Sequence, residues 1–390
     1  MEKEELFRNK KFMLNFLKKI IKPKYNTLNI VKIKASNIVY NYNYLKSLQK
    51  EAEIFPVLKS NAYGHGLKEI CRVLNKTNAK IAVVDSFPEA QIAYRYFKGK
   101  ILILGEMPLK AYRYCFFKRT EFVVYNEETL RYLSRFGKKV LVHLFVNSGM
   151  NREGIKDLEA FLQRNKHYLD KVTVNGLCSH FASAEMDSIF NETQSENFAA
   201  DLNTLKKAGY FPTWVHLGNS AAVFKTNNKF LTAYRPGLSL YGYSPFDENG
   251  REIFLKPALQ VFSKIVSLQD LKAGESVSYN ESFRVKEATR IAVIPFGYFE
   301  GLDRRLSNRA EFMINGTDGV IWSPIAGKVC MNLTCLDLGG QTAQKGDQVV
   351  IVSSNKEDVN SVLSLSRYMN TIPYEFLVRL QANIRREIIW

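Results

Sequence analysis

The stretch VLKSNAYGHG, Val57 to Gly66, sets one amine between an apolar run and a glycine-rich turn. Ile54, Phe55, Val57 and Leu58 read as a short buried strand, and Ser60, Asn61, Gly64 and Gly66 as turn residues. Lys59 then stands near the carboxyl end of a strand. A cation there is costly unless it is paired, given a task or able to snorkel to the surface. Other stretches put polar groups at the same kind of position: Asn147, Gly149 and Arg152 in FVNSGMNREG, His180 in LCSHFAS, Asn219 and Ser220 in VHLGNSAA, and Arg235 and Gly237 in YRPGLSLYG. Singly, each has a plain structural reading, such as a satisfied core histidine or a turn at Arg235-Pro236-Gly237. Together they offer an amine, an imidazole, two arginines, hydroxyls and glycine-rich turns. Backbone amides near Gly237 and the hydroxyls of Ser220 and Tyr63 can cradle a phosphate, and a neutral lysine amine can form a Schiff base with an aldehyde. A phosphate and an aldehyde on one ligand point to pyridoxal 5′-phosphate.

Those residues must be brought to one place, and the rhythm of the chain says how. Short apolar runs recur at Ile54–Leu58, Ile81–Val84, Ile101–Leu104, Phe122–Val124, Val140–Val146, Val172–Leu177, Trp214–Leu217 and around Tyr234–Leu240. Helix-like stretches of mixed charge lie between most of them, as at Ser86–Phe97, Glu127–Arg135 and Glu192–Ala208. Eight such units predict an α/β fold whose N-terminal part closes as a (β/α)8 barrel, with chemistry at the carboxyl ends of its strands. An open doubly wound sheet is the competitor, but no GxGxxG follows the first strand. Beyond about residue 250 strand-like segments follow one another directly: Leu259–Leu268, Ser276–Val285, Arg290–Pro295, Ala310–Ile314, Val320–Ala326 and Gln348–Val352. The expected division is a basic extension over 1–27, a barrel over 28–250 and a mainly β domain over 251–390, with Leu28–Ala35 a strand able to join the β domain.

The 390 residues suffice for these two units, and a 46% hydrophobic and 24% charged composition is that of an ordinary globular chain. The net charge of +17 is spread along the whole chain without a nucleic-acid-binding signature, so no nucleic-acid partner is expected. No apolar run approaches the roughly 20 residues of a membrane span. Five cysteines without zinc-ligand spacing read as reduced thiols in the cytoplasm, and no metal is expected. In residues 10–22 Met13, Phe16, Leu17, Ile20 and Ile21 share a helical face among lysines. That stripe packs on its own protein or, the less favoured reading, lies on a membrane surface.

VLKSNAYGHG resembles the cofactor-lysine motif of the alanine racemases, and the likeness runs from about Leu28 to Arg386. NSGMNREG is similar to the family's TGMGRxG, SHFAS to its histidine segment, and HLGNSAA and RPGLSLYG to its phosphate-binding turns; VSYN, PFGYFEG, AGKVCMN and TIPYE match the C-terminal part. The resemblance implies interconversion of L- and D-alanine on pyridoxal phosphate by two bases, with the D-alanine serving peptidoglycan. Lys59 would hold the cofactor and act on the D-enantiomer, and Tyr279, delivered by the partner of a homodimer, on the L-enantiomer. Phosphate would be held by Tyr63, Ser220, Gly237, Leu238 and Tyr374. His180, Asn219 and Arg235 would surround the cofactor, with His216 bonded to Arg235. Arg152 and the backbone N–H of Met331 would take the substrate carboxylate. Arg235 can only donate a hydrogen bond to the pyridine nitrogen, which then stays unprotonated; that fits a racemase better than an aminotransferase.

The chain departs from the family at three acidic positions. Phe145 replaces a lysine often modified to a carbamate that orients the substrate-binding arginine, Asn147 replaces an aspartate, and Asn332 replaces the acid of Cys-Met-Asp. The expected consequence is that Arg152 borrows an anion from solvent, held with Asn147, or is fixed by packing alone. A racemase of broader range (serine or basic amino acids), or a cofactor-binding protein without turnover, stays open on these residues.

Overall fold

The computed structural model describes residues 26–225, 228–246, 253–316 and 319–390, so the amphipathic stretch 10–22 lies outside the described residues. Strand β1 (Ile30–Lys34) and the helix Ala35–Leu48 precede eight short strands: β2 (Glu53–Ile54), β3 (Ile81–Val84), β4 (Lys100–Ile103), β5 (Thr120–Val124), β6 (Leu141–Phe145), β7 (Thr173–Cys178), β8 (Trp214–His216) and β9 (Ala233–Tyr234). β3 to β8 pair in chain order as one curled parallel sheet, and β2 pairs with β9. Val57 bridges to Val83, and Thr232 N–H donates to Val215 O at 2.9 Å, which joins that pair to both edges of the sheet and closes the barrel. All four residues of β3 are buried, as expected for a parallel strand covered on both faces.

Helices between the strands carry the sequence's own start signals. The side chains of Asn126, Asp157 and Ser188 accept backbone N–H groups at the first turns of Glu127–Ser134, Leu158–Leu169 and Ile189–Lys207. Two barrel strands are shorter than the apolar runs predict. Phe55 N–H and Val57 N–H still donate to Tyr234 O and Pro236 O at 2.8 and 3.0 Å, but Pro236 has no N–H to return, so the β2–β9 ladder stops at Ile54. Pro236-Gly237 ends β9, and Leu238–Tyr241 forms a 3-10 turn rather than more strand.

Ten strands follow: β10 (Leu259–Lys264), β11 (Ser267–Leu271), β12 (Ser276–Val277), β13 (Phe283–Arg284), β14 (Thr289–Ile294), β15 (Glu311–Gly316), β16 (Gly319–Pro324), β17 (Thr334–Asp337), β18 (Gln348–Val352) and β19 (Arg385–Ile389). The larger sheet runs β16-β15-β18-β10-β1-β19, and β11-β14-β17 form a second. β1 lies antiparallel to β10 and parallel to β19, so the first strand does join the β-rich part. The expected single strand Leu259–Leu268 is two, because Ile265 N–H bonds to Asp347 O and Val266 N–H to Val293 O, carrying the chain from one sheet to the other. Ser276–Val285 is likewise a hairpin, β12 and β13, closed by a turn that holds Tyr279. No described helix is long and apolar enough to cross a membrane.

Candidate active site

Lys59 opens a left-handed turn. Ser60, Asn61, Ala62 and Tyr63 have φ of 55°, 54°, 52° and 51°, a conformation that costs about 1–2 kcal/mol per residue for L-amino acids. The surroundings hold it there. Ala62 N–H donates to Leu58 O at 2.8 Å, Leu67 N–H to Asn61 Oδ1 at 2.9 Å, and Arg386 Nε to Gly64 O at 2.9 Å. Gly64, at φ 77°, faces the helix Pro373–Arg379 so closely that a Cβ would sit 2.0 Å from Leu377 O. Strain concentrated in the four residues after one lysine, ending at its tyrosine, is the kind that functional sites retain.

Lys59 and Tyr63 reach a cavity of about 450 Å3 at the barrel mouth, lined also by Arg152, His180, Asn219, Ser220, Arg235, Gly237 and Tyr374. That volume suits a cofactor-sized ligand. At one end Ser220 Oγ accepts Gly237 N–H at 3.0 Å and Ser239 N–H at 3.3 Å. A Cβ on Gly237 would meet Tyr63 Oη at 2.3 Å, so only glycine lets the phenol lie against that turn. The Tyr374 ring stands 5.8 Å from that of Tyr63. Burial raises both phenols, with Tyr374 pushed up to about 12, so both stay protonated and can donate to an anion. Leu238 is buried at the start of the 3-10 turn beside them. Asn219 turns its Oδ1 to Ala221 N–H at 3.0 Å and Ala222 N–H at 3.2 Å, so it also shapes the loop.

Arg235 is buried. Its Nη1 donates to His216 Nδ1 and, at 2.7 Å, to His216 O; Nη2 donates to Ser179 O at 2.5 Å and faces His180 Nδ1 at 3.3 Å. Burial first, then the charges of Arg235, Arg152 and Lys59, lowers His180 to about 3, so its ring is neutral. The residues present fit pyridoxal phosphate: an amine, a cradle of hydroxyls and bare glycine at one end, and a fixed donor-only cation elsewhere on the wall.

Residues 33–245 match the alanine racemase N-terminal domain and residues 258–388 the alanine racemase C-terminal domain. This chain belongs to the alanine racemase family. Alanine racemase of Carboxydothermus hydrogenoformans is 33% identical over 369 residues, covering 91% of this chain and 97% of that protein. Alanine racemase 2 of Caldanaerobacter subterraneus is 30% identical over 370 residues, covering 92% and 94%. Among solved structures, alanine racemase from Bacillus anthracis with bound L-Ala-P superposes with a TM-score of 0.85 at 26% identity over 94% of this chain and 96% of that one. The Bartonella henselae alanine racemase with covalently bound pyridoxal phosphate does so at 0.81 and 25% over 93% and 100%.

Not every residue expected from the family motifs lies on the cavity wall. Tyr279 is 64% exposed and Met331 55% exposed, and neither lines the cavity of its own chain. They are near one another through their loops: Ser278 Oγ donates to Lys328 O at 2.8 Å, and Gly327 leaves no room for a Cβ against Val277 O.

At the family's carbamate position Phe145 lines the cavity. The anion beside Arg152 comes from the chain itself: Arg152 Nε and Nη2 donate to Glu153 Oε1 at 3.1 and 2.7 Å. Asn147 instead commits its Oδ1 to Gly149 and Asn151 N–H groups, both at 3.1 Å, and so builds its own turn. Glu153 escaped the sequence reading although its place next to Arg152 was visible. Among the described residues no cluster of three or more His, Cys, Asp or Glu could hold a metal.

The buried histidines predict acid lability. His65 and His180 are lowered to about 3, and His216 well below its ordinary value, each by burial first. An unfolded chain binds these protons below about 6.5 while the folded one refuses them. Stability is therefore full above about pH 6.5 and falls as pH drops towards 3, by up to about 1.4 kcal/mol per pH unit per histidine. Asp201, raised to about 6 by burial, opposes this with one proton against three. Urea unfolding at pH 7.5, 6 and 5 should show falling stability, and a flat or rising series would contradict the neutral histidines.

Proposed function

We propose that this chain interconverts L- and D-alanine with pyridoxal 5′-phosphate as its cofactor, Lys59 and Tyr279 serving as the two bases. The observation that carries this reading is the convergence of Lys59, Arg235 and the Tyr63–Ser220–Gly237 cradle on one cavity. When bound, the cofactor supplies an electron sink that acidifies the α-proton of an attached amino acid. Lys59 holds the cofactor through Nζ and moves the proton on one face, acting on D-alanine; Tyr279 Oη moves it on the other, acting on L-alanine. Groups on both faces spare the substrate from turning over. Tyr63, Ser220, Gly237, Leu238 and Tyr374 would hold the phosphate, and His180 and Asn219 would surround the cofactor. Arg235 would donate to the ring nitrogen without giving up a proton, which would restrict the sink and disfavour transamination. Arg152 and Met331 N–H take the substrate carboxylate.

Tyr279 and Met331 complete the cavity of a second copy in a homodimer. Tyr298 and Phe299, both exposed aromatic residues, support this: their backbone N–H groups bond to Cys330 O and Met331 O, which adds apolar surface beside Met331. We assign 1–27 to a basic extension, 28–250 to the barrel unit and 251–390 to the β unit, with Ile30–Lys34 shared into the latter. We place the enzyme in the cytoplasm, supplying D-alanine for peptidoglycan.

Glu153 stands in for the carbamate by steadying Arg152. The pair is substantially exposed, so its effect is modest. Glu153→Gln should raise the KM for alanine up to about fivefold with kcat little changed; an unchanged KM would show that packing alone fixes Arg152. The test of the function itself is racemisation of a panel of L-amino acids by the cofactor-loaded protein. Alanine ahead of the panel supports the proposal, serine or a basic amino acid ahead reassigns the substrate, and no turnover with cofactor bound removes the catalytic reading.

A further inference from the structure

Glu121 and His143 sit inside barrel strands β5 and β6, both fully buried, at positions where a barrel interior usually carries branched apolar side chains. They continue a line that starts at Arg235. A guanidinium can only donate, so Arg235 Nη1 donates to His216 Nδ1 and the His216 ring proton resides on Nε2. That nitrogen lies 2.7 Å from His143 Nδ1 and donates to it, which puts the His143 proton on Nε2. His143 Nε2 in turn donates to Glu121 Oε2 at 2.7 Å. The carboxylate ends the line and is itself satisfied, by Lys100 Nζ at 2.9 Å and Asn175 Nδ2 at 2.7 Å. Burial would raise the Glu121 carboxyl, but His143 first, then the hydrogen bonds from Lys100 and Asn175, hold it below the usual carboxylate range.

Strand β7 is built around this line. The β6–β7 register slips between Val142 and His143, pairing Val142 with Val174 but His143 with Gly176, so Asn175 is an extra residue. The bulge turns Asn175 onto Glu121. Gly176 then presents a bare Cα where the His143 imidazole crosses β7 to reach β8: a Cβ there would lie 2.3 Å from His143 Nδ1. Apolar side chains would fill the same space without the desolvation cost of a buried carboxylate and two imidazoles.

We propose that Glu121 and His143 are positioning residues for Arg235, fixing through His216 the acceptor that faces the guanidinium and so holding Arg235 in line with the cofactor's ring nitrogen. The inference rests on the racemase reading only in what Arg235 does; the direction of the line is independent of it. Both can be read in the full-length, cofactor-loaded protein. With only five histidines in the chain, 15N labelling of the imidazoles should show His143 and His216 as Nε2–H tautomers. In Glu121→Ala and in Gly176→Ala, which removes no polar group, the His216 ring signals should shift. The share of turnovers lost to transamination should rise about tenfold or more. Glu121→Gln, which keeps an acceptor for His143, should fall between these variants and the parent. An Nδ1–H or doubly protonated His216 in the unaltered protein would overturn the proposal, even if the variants fail to fold. So would folded variants that lose thermal stability while the His216 signals and the partition stay put. A parent protein without racemisation but with both Nε2–H rings would instead sink the functional reading and leave the line intact.

Discussion

Lys59→Ala should abolish covalent cofactor attachment and reduce racemisation by about 10²–10⁴-fold through lost proton transfer alone. The expectation follows from geometry. Lys59 is the first residue of a turn whose next four residues are all left-handed, and the turn is clamped by Arg386 and by Leu377 of the helix that brings Tyr374 to the cavity. Such a turn fixes where Nζ can reach, and the same cavity holds Tyr63, Ser220 and Gly237, the proposed phosphate cradle. Borohydride reduction followed by peptide mass analysis checks the assignment. Cofactor still reduced onto the variant would place the link on another lysine. Because the substitution leaves the left-handed residues and their clamps untouched, the variant should keep the parent's unfolding profile.

Tyr279→Phe should cost a similar factor, and mixing it with Lys59→Ala should restore activity that neither has alone. On the single chain Tyr279 is largely exposed, and the turn that carries it holds Ser278, Asn280 and Glu281 at φ of 66°, 61° and 48°. That turn is fixed from beneath by the Ser278–Lys328 hydrogen bond, so the phenol projects outward from a firm base. A phenol so presented can serve the site of a second copy across a symmetric interface, where each subunit gives what it receives. Equal mixing and free exchange make half the dimers hybrid, each with one intact site of two. About a quarter of the parent activity is then expected on this symmetry. Verified exchange without recovery would count against the shared site.

The sequence by itself determined the barrel and named the residues proposed to cradle the cofactor. The eight apolar runs, the turn residues after Lys59 and the Pro236-Gly237 break are local features, and each acts within a few residues of where it is written. The order of the motifs likewise carried the family, and with it the expectation of a second base.

Tertiary structure decided what depends on contacts between distant strands. Glu121 and His143 stand within or beside runs that read as plain buried strand, and nothing local marks them, because their partners lie across the barrel and a bulge at Asn175 sets who meets whom. The split of Leu259–Leu268 came from two sheets competing for one backbone, which composition does not encode. Glu153 was legible in the sequence as an acid beside Arg152. Its role was not, because an ion pair between neighbours forms only when the turn folds both side chains to one side. Tyr279 shows the same limit at the next level: its motif names the residue, while only the fold places it exposed and off the cavity wall of its own chain.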